Sequence, residues 1–241
     1  MGAGRFAVRA TGFAMVSGAV AVWLAIAGWL AFFRAPAEVT LGEVQRLFYL
    51  HAALAWNGLG LFVFLGVFSS LYLLSEQLIW DRRAATIAPL AWLFGGLTLA
   101  TGMLFARPTW GVAWTRDPRL VSMLVLFAIE TGYLLFRQGV ADPGRRARLA
   151  GVLSLIGLLD LPVVLLSVRW WRSLHPQAVE WGAGAAGAEM RWALMAMTVG
   201  AGLVAALLWW LTDRVDRLEE AWNRERDALL AACNREEGGS P

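Results

Sequence analysis

The 241 residues are 59% hydrophobic and only 16% charged, with mean hydropathy +0.57, an apolar excess that a soluble domain of this length has no core to absorb. All 21 basic residues are arginine and lie scattered through the connecting segments, so the pI near 9.7 marks no nucleic-acid-binding domain. A single cysteine, Cys233, leaves no internal disulfide and no Cys-x-x-Cys-His box for covalent haem.

The chain therefore reads as an all-α polytopic membrane protein. A hydrocarbon core of about 30 Å takes about 20 apolar residues in helix. Six stretches meet that length, at 13–33, 47–75, 87–105, 118–136, 149–168 and 192–211. The first follows Arg5 and Arg9, is too long for a signal-peptide core and lacks a clear cleavage site, so it reads as a retained span. Thirteen arginines fall on the side of the N-terminus, the connections after spans 2 and 4, and the tail; eight fall on the other side. Both termini are accordingly expected in the cytoplasm. The organisation expected is a transmembrane domain over 1–211 with outer loops at 106–118 and 169–191, then an amphipathic helical tail over 212–241.

His51 lies at the outer mouth of span 2, between Tyr49-Leu50 and Trp56. Between spans 3 and 4 runs Arg107-Pro-Thr-Trp-Gly-Val-Ala-Trp-Thr-Arg-Asp-Pro-Arg-Leu120, a segment both aromatic and cationic. Its plain reading is an aromatic belt flanked by arginines; its functional reading is a surface for a flat, anionic, apolar ligand. Asp117 is placed to cap span 4, with Pro118 at the first helical position, where a missing N–H costs nothing. Glu130 and Asp160 fall inside spans 4 and 5 at different depths, poorly placed to pair directly, and read as packing-face residues. The last outer loop carries Val168-Arg-Trp-Trp-Arg-Ser-Leu-His-Pro176. In the tail, Val215, Leu218, Trp222 and Leu229 form one helical stripe, and Asp213 with Arg217 and Glu220 with Arg224 make i, i+4 pairs.

The outer inventory is thus both histidines of the chain, the tryptophans Trp56, Trp110, Trp114, Trp170, Trp171 and Trp181, and the arginines Arg34, Arg46, Arg107, Arg116, Arg119, Arg169, Arg172 and Arg191. Imidazole is the common axial ligand of haem iron, aromatic walls suit the macrocycle, and guanidinium suits the propionates. A zinc or copper site wants three or four ligands close together, more than two histidines supply. Non-covalent haem fits the inventory better than a bare metal ion.

The motif Trp110-Gly-x-x-Trp114-x-x-Asp117-x-Arg119-Leu120 resembles the tryptophan-rich WWD signature of the haem-handling proteins of cytochrome c maturation. Tyr49-Leu50-His51 with Trp56, and Leu161-Pro162 followed by Ser167-Val-x-Trp-Trp171-x-x-Leu174-His175, are similar to the flanking segments of the short, six-span CcmC family. The resemblance implies a non-enzymatic subunit of the CcmABCD complex in the bacterial inner membrane. Such a subunit works with CcmA, CcmB and CcmD, binds haem b transiently at the periplasmic face and presents it to the haem chaperone CcmE. It further implies that His51 and His175 are the axial ligands and that Trp110, Trp114, Asp117 and Arg119 form the platform. Ala113 and Arg116 stand where the family has tryptophans, and Ala53 where it has proline. On this reading Arg116 meets a propionate, and Trp170 and Trp171 supply the missing aromatic wall. The alternatives are a bis-histidine electron-transfer cytochrome, a permease or scaffold without haem, and a longer-family synthase; the absence of extra spans and further histidines argues against the last.

Overall fold

The computed structural model describes residues 2–175 and 187–237. Trp181, with the rest of 176–186 in the expected outer loop, lies outside the described residues. All six expected spans are helices: α1 (Gly2–Trp29, ending in a π-helical turn, Leu30–Arg34), α2 (Gln45–Ser75), α3 (Leu78–Trp110), α4 (Pro118–Gly139), α5 (Pro143–Trp170) and α6 (Ala188–Glu237). Among the described residues there is no strand, only an isolated bridge between Glu38 and Gly42.

Helices α3, α5 and α6 run well past their apolar stretches, because hydropathy marks the part that suits lipid whereas a helix continues until a cap ends it. Asp142 accepts the N–H of Arg145 at 2.6 Å, and Pro143 occupies the first helical position, so α5 starts well before residue 149. The expected cap on α4 is present, Asp117 Oδ1 accepting the Arg119 N–H at 2.9 Å. At the other side of that connection, α3 carries Arg107 to Trp110 as its last turn. It stops at Gly111, whose φ of 77° takes the left-handed conformation and whose N–H reaches Arg107 O at 3.1 Å. The tryptophan-rich loop is thereby reduced to the seven residues 111–117, and Trp110 is a helical residue.

Helix α2 is central, packed against α3, α5 and α6, while α4 pairs with α5 and α1 lies outermost on α6. Small residues set the close approaches, as expected where lipid supplies no hydrophobic drive between helices. A Cβ on Gly157 of α5 would stand 2.5 Å from the Phe62 ring of α2, and one on Gly66 would stand 2.9 Å from Leu158. The outer surfaces of the spans remain apolar and exposed, with Met15, Leu104 and Leu159 among their residues.

At the end of the bundle away from the tryptophan loop, Asp81 of α3 and Arg137 of α4 form a bidentate pair at 2.6 and 3.1 Å. Arg82 meets Glu220 at 3.1 Å, and Thr86 Oγ1 lies 3.2 Å from Asp216 Oδ2, bringing α6 against α3. Asp213 pairs with Arg217 as expected, at 2.7 Å. The Glu220–Arg224 pair does not form: the carboxylate goes to Arg82, and the Arg224 side chain donates to the Glu220 carbonyl instead. The stripe Val215, Leu218, Trp222 and Leu229 is exposed along its length. Glu130 is buried with a carboxylate oxygen against Gly95, and Asp160 is half-buried with Oδ2 lacking a hydrogen bond. Neither has an ionic partner among the described residues.

Candidate functional site

Five segments converge at the tryptophan-loop end: the start of α2, the end of α3, the start of α4, the end of α5 and the residues that follow it. Between them lies a cavity of about 140 Å³. α2 contributes Phe48, His51, Ala52, Ala55, Trp56 and Leu59, one face at spacings of three and four; α3 contributes Thr98, Leu99, Gly102, Phe105 and Trp110. Arg119, Leu120 and Met123 of α4, Val164 and Leu165 of α5, and His175 close it. Most of the lining is apolar or aromatic; its side-chain nitrogen and charge come from two imidazoles, two indoles and one guanidinium.

The His51 imidazole Nδ1 lies 3.2 Å from Thr101 Oγ1 on α3. Thr101 already spends its hydroxyl proton on the carbonyl of Leu97, at 2.7 Å. Its oxygen is therefore left to accept, and the ring donates through Nδ1–H, which leaves the lone pair on Nε2. Gly102 makes room for this ring: a Cβ there would stand 3.0 Å from His51 Cε1.

His175 lies edge-on to Trp110, with centroids 5.0 Å apart and planes at 71°. Its Nδ1 faces Asp117 Oδ1 at 3.6 Å, beyond hydrogen-bond range, and has no other partner among the described residues. Burial, followed by the Arg119 charge, brings its pKa down to about 4 against the opposing pull of Asp117, so the ring is neutral near pH 7 and keeps a lone pair. Asp117 is 6% exposed. Burial works to raise its pKa; the Leu174 N–H, the Ser173 hydroxyl and the Arg119 N–H outweigh it and hold the carboxylate below its ordinary range.

Of the expected site residues, the fold brings His51, His175, Trp110 and Arg119 to one cavity. Asp117 lies behind His175, its oxygens turned to the α4 terminus and the segment after α5. Trp114 is part-buried in the loop without lining the cavity, and Arg116 is exposed beside it. Trp170 and Trp171 are 55% and 51% exposed and pack edge to face against each other at 5.8 Å, off the cavity wall. Of the remaining arginines on this side, Arg34 is taken by Glu189 at 2.9 Å and Arg46 by Glu43. Sequence reasoning did not single out Phe48, Thr101, Gly102, Phe105 or Met123. The available signal was the α3 face Thr98, Gly102 and Phe105, at spacings of four and three, leading up to Trp110.

Comparison with known proteins points to one family. The family described as CcmC, Heme exporter protein C, matches residues 4–228. The chain is 34% identical over 171 residues to a ccmC-like mitochondrial protein of cytochrome c biosynthesis from Marchantia polymorpha, covering 71% of this chain and 70% of the relative. It is 39% identical over 149 residues to the Heme exporter protein C of Bradyrhizobium diazoefficiens, covering 60% and 55%, and 34% identical over 161 residues to that of Escherichia coli, covering 64% and 66%. The matched segment thus spans between about half and seven tenths of these relatives' own lengths.

Proposed function

This chain belongs to the CcmC family of haem exporter proteins, and from that premise we propose that it holds haem between His51 and His175 and hands it to a haem chaperone during cytochrome c maturation. The observation that carries the reading is that the only two histidines of the chain, far apart in sequence, line one cavity. Both have Nδ1 turned to a protein oxygen, Thr101 for one and Asp117 for the other, which favours Nε2 as the iron-facing atom. Trp110, Phe48, Phe105 and Met123 suit the faces of a porphyrin, and Arg119, the only guanidinium in the lining among the described residues, suits a propionate. With Cys233 as the only cysteine, far from the cavity in sequence, the haem is b-type and non-covalently held.

The excess of arginines at the opposite end supports a periplasmic position for this end of the bundle in the bacterial inner membrane, with both termini in the cytoplasm. The exposed Trp170 and Trp171, with Trp114 and Arg116 on the neighbouring loop, offer an aromatic and cationic rim for a CcmE-type chaperone. CcmA, CcmB and CcmD complete the assembly, the ATPase acting from the cytoplasmic side. Moving intact haem needs only ligand exchange at iron, so the subunit itself is not an enzyme.

The test is the absorption spectrum of the purified, haem-loaded protein beside His51→Gly and His175→Gly. Each variant is expected to lose the low-spin spectrum and to recover it with added imidazole. A variant that keeps the wild-type spectrum removes its residue from the iron.

A further inference from the structure

The two histidines are held in different ways. His51 belongs to α2 and is braced by Thr101 of α3, its closely packed neighbour. His175 lies past the end of α5, in residues without regular structure. Among the described residues, the hydrogen bonds from 172–175 to other elements all end on Asp117. Oδ2 accepts the Ser173 hydroxyl at 2.8 Å and the Leu174 N–H at 2.7 Å. Ser173 Oγ in turn accepts the His175 N–H at 3.1 Å, so the turn carrying the imidazole is built on that one carboxylate. Oδ1 caps α4 through the Arg119 N–H and faces His175 Nδ1.

We propose that Asp117 is a positioning residue that acts as a latch: it fixes the His175 segment over the cavity, and the site opens by parting of this contact while His51 stays on α2. The inference rests on the reading that the two histidines hold haem. It reassigns Asp117 from the platform to the support behind one ligand. The chemistry requires a carboxylate, because Arg119 N–H, Ser173 O–H and Leu174 N–H are all donors, and an amide would turn its own NH2 toward one of them. Closing the remaining gap between His175 Nδ1 and Oδ1 takes about 0.7 Å. That contact would fix the same tautomer as in His51 and raise the basicity of the ring when it binds iron. A segment whose described hydrogen bonds to other elements all end on one side chain opens more readily than a packed helix, which suits a site that must give up its cargo.

The experiment uses the full-length protein loaded with haem, with apomyoglobin in excess as the acceptor. Asp117→Asn is expected to shift the iron toward a high-spin spectrum that imidazole reverses, as for His175→Gly, and to raise the rate of haem loss at least tenfold. Ser173→Ala, which leaves the α4 cap intact, is expected to raise the rate about threefold and decides the matter if Asp117→Asn fails to fold. Wild-type spectra and rates in the folded variants overturn the latch. If the wild type itself shows no bis-imidazole spectrum, the reading of the site fails; if His175→Gly is affected and Asp117→Asn is not, the latch alone fails.

Discussion

Gly102 has no side chain where His51 has its ring, and that single vacancy decides how the imidazole stands in the cavity. A methyl group there would lie 3.0 Å from Cε1 and push the ring off Thr101. Gly102→Ala is therefore expected to weaken haem binding about tenfold, the lower end of what loss of an outer-shell partner brings. Thr101→Val goes further, removing the hydroxyl oxygen that accepts from Nδ1–H, at a cost of about 1–3 kcal/mol. Haem titration checks both, and unchanged affinity in the two variants would remove the brace from the account. The histidines themselves were legible in the sequence, because the chain has only two and each stands among aromatic residues. Thr101 and Gly102 were not: threonine and glycine are common in spans, and only the packing of α2 on α3 gives these two a neighbour to serve. Asp117 was half legible. Its cap follows from Asp-Pro at a helix start, whereas its grip on Ser173 and Leu174 joins residues that only the fold brings together.

Individual helices were legible in number and roughly in place, but not in their ends. An apolar window locates what suits lipid; Asp142, Gly111 and the continuous α6 locate what the backbone does. The polar ends that the window misses carry tertiary contacts. Asp81 and Arg137, with side chains 11% and 14% exposed, join α3 to α4 where the sequence showed only a scatter of charges. Removing one partner from such a pair strands a charge, and Asp81→Ala is expected to destabilise the protein by about 3–5 kcal/mol. Asp81→Ala with Arg137→Met is expected to recover most of that loss. Thermal unfolding in detergent checks it, and equal midpoints for the single and double variants would contradict the pairing. A similar measurement applies to Gly157→Val: overpacking against Phe62 is expected to cost about 1–3 kcal/mol.

As a whole molecule, the bundle gathers the start of α2, the end of α3, the start of α4 and the end of α5 at one end, and the orientation proposed for that end rests on the excess of arginines at the other. Cys233, the only cysteine, reports it directly. In spheroplasts, a membrane-impermeant maleimide is expected to reach Cys233 only after permeabilisation. Val112→Cys, in the exposed loop and on a Cys233→Ser background, is expected to react without it. The reverse pattern would turn the site toward the cytoplasm. One measurement reaches the centre of the account: electron paramagnetic resonance of the ferric, haem-loaded wild type, together with the haem content per chain. A single low-spin, bis-imidazole signal at one haem per chain is the expected result. Two haems per chain, or a high-spin signal that neither histidine substitution alters, would contradict it.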